Sequence, residues 1–542
     1  MIKINRVKKY LFNSLLLSSV AIIMRTVSVS FNAYISSKIG AEGMGLISLC
    51  SSVYGFALTL ATSGINLAVV RLVSRALPYE SDSYFDKRAD GRVHKTMKNA
   101  LLYCLFFSAL ASLGLFFGAD AISLRLLNER RTVSSLKLLS LTLCPISISS
   151  ALNGYFCAVR RVYKNVITQI LEQGVKIFTV SSLLVLIAPL GVEFACMAVV
   201  AGGALSESAS LVCSAVLYFF DRKMHRRIEK REASNSKGTK ISFFKQEAMQ
   251  DSSILKIALP VALSAYLRSA LLTIEHLAIP WGLKKSGASA TSALSSYGVM
   301  HGMVFPLLLF PSAVLGAFSS LLIPELSSAQ EQGDYARIRS IVSRVFCFSL
   351  LFSVGVSGIF VCFSSELGQL IYKNDEASEF IRLLSPLIPL MYLDGAVDSM
   401  LKGLGEQLYT MRVNIIDSLL SVVLVLLLLP RMGIYGYVTV IFLMELLNTA
   451  LSIIRLLNIT GVKAMVVKWV AKPLLCVILS TVITRLLFVS DRVYTLAVGL
   501  TGDGAVSIVQ IVLSVILYAL FSVLSGTVSK DEVALFKSAL KG

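Results

Sequence analysis

The sequence predicts an all-α, polytopic membrane protein of about fourteen transmembrane helices, two pseudo-symmetric six-helix lobes followed by two C-terminal helices. Three observations predict it. The 542 residues are 55% hydrophobic and only 15% charged, with a mean hydropathy of +0.75. Soluble domains carry about 25% charged residues, so the polar surface needed to cover a globule of this length is missing. The apolar residues gather into windows of about 20, the length of a helix that crosses a bilayer. Finally, charged residues that are rare inside such windows recur at a fixed offset.

The first lobe has apolar segments near 11–35, 44–70, 97–118, 136–158, 166–188 and 193–219. The second has them near 254–281, 292–322, 344–365, 380–402, 411–431 and 434–457, and a last pair lies near 468–489 and 505–526. The expected domains are 1–220, a basic cytoplasmic linker over 221–253, a second lobe over 254–460, and 461–542. Lys3, Arg6, Lys8 and Lys9 precede the first apolar run and imitate a secretion signal. That run outlasts the roughly 7–15 residues of a signal's apolar region, so it reads as an uncleaved span. With the amino terminus in the cytoplasm, inner segments hold roughly 36 of the 51 Lys and Arg and outer loops roughly 12. Both termini are then expected inside.

The formal net charge of +19 points first to nucleic acid, but its distribution excludes that class. The charge lies in short segments between apolar runs. Its densest part, Arg222-Lys223-Met224-His225-Arg226-Arg227 and on through Lys230 and Arg231, reads as a solvated linker that fixes topology. Contact with anionic lipid is the alternative reading. The nine cysteines sit in or beside apolar runs without C-x-x-C spacing, as small core residues do, and predict neither a disulfide frame nor a metal site.

The two lobes repeat each other. Arg25 in the first span and Arg268 in the seventh are 243 residues apart, and the same offset places Asn32 on Glu275 and Tyr54-Gly55 on Tyr297-Gly298. With a small drift, Glu172 falls on Asp417, and Glu207 lies near the counterpart of Glu445. Six spans separate the copies, an even number, so they share one orientation. Parallel repeats of this kind occur in transporters with a central site between two bundles.

The intramembrane charges are therefore the candidate site. An arginine deep in a span costs about 2.5 kcal/mol or more unless it meets a partner or a wet cavity. Arg25 and Arg268 stand at matching depths, and a guanidinium binds phosphate bidentately. With Asn32 and Glu275 they are the substrate-binding candidates, and pairing of the arginines to acids on neighbouring helices is the alternative. Glu275 lies two turns beyond Arg268 on the same face, and Asn32 is its uncharged counterpart. Glu172 and Lys176 have the spacing of an intrahelical ion pair, while Asp417 lacks such a lysine. Glu275, Glu172 and Asp417 are candidates for coupling or gating. Asp394 and Asp398, four residues apart, line a cavity or lie near an aqueous end. His276 and His301 read as packed residues. Pro306 and Pro311 in span eight, and Pro260 and Pro280 bracketing span seven, interrupt the helical ladder where a gate bends, or kink it for structural ends alone.

No phosphate-binding loop, zinc motif, nucleophile elbow or complete dinucleotide fingerprint occurs, so no cofactor and no enzymatic activity is expected. Transport would draw on a gradient of H+ or Na+ or on the membrane potential.

Two stretches have the texture of a known family: Tyr297–Asp334, YGVMHGMVFPLLLFPSAVLGAFSSLLIPELSSAQEQGD, and Leu383–Gln407, LLSPLIPLMYLDGAVDSMLKGLGEQ. With the paired lobes, basic linker and extra helix pair, the chain resembles the multidrug/oligosaccharidyl-lipid/polysaccharide (MOP) exporter superfamily. Within it, the likeness is to the stage V sporulation protein B group of polysaccharide flippases. The resemblance implies a MATE-like fold with alternating access, in a bacterial cytoplasmic membrane. It also implies a lipid-linked sugar as substrate, such as an undecaprenyl-pyrophosphate-linked peptidoglycan precursor used in wall or spore-cortex synthesis. Lipid II flippases of that superfamily place arginines on the first-span and seventh-span side of a central cavity, which here implies Arg25 and Arg268. Glu275-His276 stands where such relatives commonly show an aspartate. A cation- or proton-coupled small-molecule exporter of the same fold is the alternative function.

Overall fold

A computed structural model of the protein describes residues 2–76, 87–159, 161–235, 254–462, 465, 467–489 and 503–526. The described residues are helical throughout, without a strand. Twelve helical segments among them are long and apolar enough to cross a membrane. Val20–Thr62 counts once in that number, although Gly40 interrupts it at φ +71°, ψ −179°. A side chain is disfavoured at that backbone angle, so glycine is the residue that lets two helices meet there. The 32-residue helix Ile254–Lys285 falls outside that count.

In chain order the helices that matter here are α1 (Ile2–Thr62), α2 (Ile65–Ala76), α3 (Lys87–Ala121), α4 (Val133–Ala158), α5 (Tyr163–Ile187) and α6 (Val192–Asn235). α7 (Ile254–Lys285) follows. Span eight is broken into α8 (Ala290–Gly298), a π-helical turn over Val299–Val304, α9 (Phe305–Leu309) and α10 (Ser312–Glu331). Then come α11 (Tyr335–Cys362), α12 (Ser364–Tyr372), α13 (Asp375–Leu384), α14 (Ile388–Gly403), α15 (Gln407–Met432), α16 (Ile434–Thr460), α17 (Lys472–Val489) and α18 (Asp503–Leu524). The stretch expected to begin a linker at 221 is helical as far as Asn235, and 236–253 lies outside the described residues.

Contacts group the chain into two units whose membership departs from the simple repeat. Unit 1 comprises 1–20 and 42–278; unit 2 comprises 21–41 and 279–542. Most of the first span thus belongs with the second half of the chain, and most of α7 with the first. Sequence periodicity shows which helices correspond, but not which bundle each one packs into.

Unit 1 is built around Ile65, Val69 and Val73 of α2, Met97 and Cys104 of α3, and Leu152 and Phe156 of α4. The opposite side of α3 exposes Leu102, Phe106, Leu110 and Phe117, as a helix facing lipid should. The α5–α6 hairpin closes at its open end with an ion cluster. Arg161 and Lys164 both donate to the buried Asp221 carboxylate, Lys164 at 2.5 Å, and the Lys164 ammonium sits 5.3 Å from the Phe156 ring centroid.

Unit 2 has a matching hairpin, α15–α16, closed with the signs reversed. Arg455 binds both carboxylate oxygens of Glu406, at 2.9 and 3.0 Å, and lies over the Tyr409 ring. Glu406 stands at the position the repeat assigns to Arg161. The core of this unit gathers Val342 and Phe346 of α11, Val397 and Met400 of α14, Leu456 of α16 and Trp469. The last two helices seat on α11 at two glycines. A Cβ on Gly358 would lie 2.5 Å from Val477, and one on Gly355 would lie 2.4 Å from the Tyr518 ring. Tyr518 Oη completes the seat by donating to the Leu351 carbonyl at 2.6 Å.

Gly358→Leu should therefore unseat α17. Overpacking of this kind costs about 1–3 kcal/mol. Thermal unfolding of the purified variant should show a lowered Tm, whereas Gly395→Ala, where a Cβ meets nothing within 4 Å, should leave Tm near wild type.

Candidate functional site

The candidate residues of unit 2 surround the interruption of span eight. Proline has no N–H, so Pro306 returns no hydrogen bond to the Gly302 carbonyl four residues back. Asn32 of α1 fills that gap, its Nδ2 donating to Gly302 O at 2.5 Å. Tyr372 Oη donates to the Met303 carbonyl at 2.8 Å and Tyr392 Oη to the Leu308 carbonyl at 2.5 Å. Leu307 O receives the Phe310 N–H, and Leu309 O the Ser312 hydroxyl, around Pro311. Side chains from three separate helices thus satisfy a backbone that two prolines and a π-turn have loosened. In hydrocarbon an unmet carbonyl is not tolerated, so these donors are what permits the break.

Asn32, a substrate-binding candidate in the sequence, gives its amide nitrogen to this main-chain carbonyl. Two turns away on α1, Arg25 is exposed within the unit and close enough to Tyr392 for its charge to bear on the phenol. No carboxylate among the described residues lies within ion-pair distance of Arg25. His301, on the π-turn, packs among Tyr297, Phe305 and Tyr437, with Nε2 3.0 Å from the Tyr437 hydroxyl. The packed reading of this histidine fits.

A second polar group in unit 2 draws on three helices. Glu445 of α16 has Asp394 of α14 and Asp417 of α15 as its electrostatic neighbours. Asn448 donates to Asp394 at 3.3 Å, and Thr449 to Glu445 at 3.4 Å. Asp398 is separate, bound to Lys402 at 3.5 Å one turn on. Among the described residues no three His, Cys, Asp or Glu side chains converge closely enough to hold a metal ion.

In unit 1, Arg268 on α7 is exposed within the unit and likewise without a carboxylate at ion-pair distance among the described residues. Next to it, Ser269 and Thr273 tie α7 to the second segment of α1, through Thr59 at 3.1 Å and the Ser52 carbonyl at 3.1 Å. Glu275 and His276 are half-buried two turns further along. Pro280 is buried, and α7 runs through it as one continuous helix.

Glu172 and Lys176 do not form the ion pair that their spacing suggests. They are not within 4 Å of each other; the charges of both bear on Glu207 of α6. Of the cysteines, Cys362 is exposed and the rest are buried or half-buried, all as free thiols.

Sequence reasoning missed Tyr372, Tyr392 and both hairpin ion clusters. Tyrosines within apolar runs carry no mark of where their hydroxyls go. The clusters had a signal, because Arg161-x-x-Lys164 and Glu406 fall at equivalent places in the two copies.

The helical interruption, the internally partnered carbonyls and the charges held within each unit define a transporter-type membrane fold. The profile of the polysaccharide biosynthesis protein family matches residues 10–330, and that of the MatE family residues 286–427. The chain belongs to the polysaccharide biosynthesis protein family. Stage V sporulation protein B of Bacillus subtilis (strain 168) is 26% identical over 453 residues, covering 81% of this chain and 83% of that protein. Among solved structures, the lipid II flippase MurJ in an inward closed conformation superposes with a TM-score of 0.65 at 10% identity, over 94% of this chain and 99% of that one. An inward-facing multidrug resistance MATE family transporter of the MOP superfamily gives 0.60 at 14% identity, over 82% of this chain and 100% of its own. The fold is thus the MATE-like fold that the sequence predicts.

Asn32→Leu should strand the Gly302 carbonyl, at a cost of about 1–3 kcal/mol. The expected readout is a lower Tm for the purified variant, and an unchanged Tm would remove the structural role given to Asn32.

Proposed function

We propose that the protein is a flippase that carries an undecaprenyl-pyrophosphate-linked oligosaccharide, a peptidoglycan or polysaccharide precursor, across the bacterial cytoplasmic membrane. Both termini lie in the cytoplasm, and access alternates between the two faces. The observation that carries this reading is the state of Arg25 and Arg268, each exposed within its unit and without a carboxylate at ion-pair distance among the described residues. A permanent charge at that depth needs water or an anion. Pyrophosphate offers several acceptor oxygens in the geometry a guanidinium fork matches. Family membership and the names of the relatives support the same direction.

In this reading Arg25 and Arg268 grip the headgroup phosphates, and Glu275, two turns from Arg268, weakens that grip when release is due. Asp417, whose copy of the helix pair has no lysine, is the carboxylate through which H+ or Na+ couples to the cycle, and the break at Pro306 and Pro311 is the place where span eight bends. Membrane lipids surround the substrate's tail, and no bond is made or broken.

A second reading, an exporter of small molecules coupled to a cation or proton, is favoured by the MatE match over 286–427 and by the acids around Glu445. The two separate experimentally. With purified protein in proteoliposomes, lipid II translocation should fall about 10–100-fold in Arg25→Ala and in Arg268→Ala, the loss expected for one charge-assisted contact. Wild-type flipping by the double variant would refute the phosphate grip. Drug efflux that needs Glu275 but neither arginine would establish the exporter.

A further inference from the structure

Within unit 1, α5 and α6 run antiparallel and touch closely at one point. A Cβ on Gly202 would lie 2.5 Å from Val180 Cγ2, and Thr179 Oγ1 donates to the Gly202 carbonyl at 3.1 Å. One turn from that crossing, the register sets Glu207 abreast of the stretch that holds Glu172 and Lys176. The charges agree with the register, since both residues act electrostatically on Glu207. All three side chains are half-buried. The charge of Glu207 also bears on Tyr54 of the second segment of α1, whose hydroxyl is 2.7 Å from that of Thr142. The charged and titratable groups about Glu207 among the described residues are therefore Glu172 and Lys176 from α5 and Tyr54 from α1. α4, packed on α6, brings the Thr142 hydroxyl.

The repeat supplies the comparison. In unit 2 Asp417 stands where Glu172 does, and Glu445 also has acids as neighbours, but the position corresponding to Lys176 is Ser421, which is uncharged. One copy of the same helix pair carries its own ammonium and the other carries a hydroxyl.

We propose that Lys176 is a tethered counter-cation, holding in unit 1 the place that a monovalent cation or proton from solution would otherwise take between Glu172 and Glu207. Two carboxylates at this depth cannot both stay ionised without positive charge beside them. With the lysine present one negative charge remains, which a single proton on either acid removes. Without it, two positive charges must come from outside. Lys176 therefore shields unit 1 from the ionic composition of the medium. The inference is independent of what the protein transports.

The test is thermal unfolding of the full-length purified protein, in sodium chloride or in choline chloride, at acid and at alkaline pH. Carboxylates that must be neutral in the fold stabilise it at low pH and lose that contribution as pH rises. Lys176→Met should have a Tm about 5 °C or more below wild type in choline at alkaline pH, and should recover on acidification or with sodium. Lys176→Arg, which keeps the charge, should track wild type. The double variant Lys176→Met/Glu207→Gln should regain stability in choline at alkaline pH, because only one acid is left to neutralise. If Lys176→Met fails to fold, recovery in the double variant supports the proposal and failure there overturns it. A Lys176→Met protein no more sensitive to cation and pH than wild type also overturns it.

Discussion

Hydrocarbon offers a backbone carbonyl or a side-chain charge nothing to bind, so each must find its partner inside the protein. Much of what distinguishes this chain follows from that constraint. Span eight carries two prolines and a π-turn, and the carbonyls they release are taken up by Asn32, Tyr372, Tyr392 and Ser312. The break is therefore a built feature with a donor assigned to each loosened acceptor. The same rule governs the hairpin mouths, where Asp221 answers two cations and Arg455 answers one carboxylate with both its oxygens.

The two copies obey the rule with different residues, and the difference has functional weight. At corresponding hairpins the charges are interchanged, so neither copy's arrangement is dictated by the helix geometry alone. In the polar groups near mid-span, unit 1 includes a lysine where unit 2 has a serine. Duplication supplied two equivalent frames; divergence put an ammonium in one and a hydroxyl at the corresponding place in the other. Arg25 and Arg268 keep the same sign at equivalent positions of the two copies.

Hydropathy and length made the helical membrane fold legible, because both report directly on the solvent a segment needs. The repeat was legible through Arg25 and Arg268, since charges at such depth rarely coincide by chance. Unit membership was not legible: 21–41 groups with the second half of the chain, and equivalence between spans says nothing about which bundle each joins. Asn32 read as the neutral counterpart of Glu275, yet its role depends on Pro306, more than two hundred and fifty residues away. Glu172 and Lys176 had the spacing of an ion pair, yet they stand more than 4 Å apart, and the charges of both bear on Glu207 of the neighbouring helix. Spacing along one helix measures opportunity; the outcome depends on what stands opposite.

The glycine seat on α11 bears on how the protein is made. Gly355 and Gly358 leave notches that Tyr518 and Val477 fill, and both fillers are translated more than a hundred residues later. Until then the nascent α11 presents bare backbone to whatever helix lies nearest, the kind of surface on which small residues promote helix association within a bilayer. Unit 2 thus reaches its final packing only once Tyr518 has been made, and a chain stopped before Val477 would carry a sticky, unoccupied groove into the membrane.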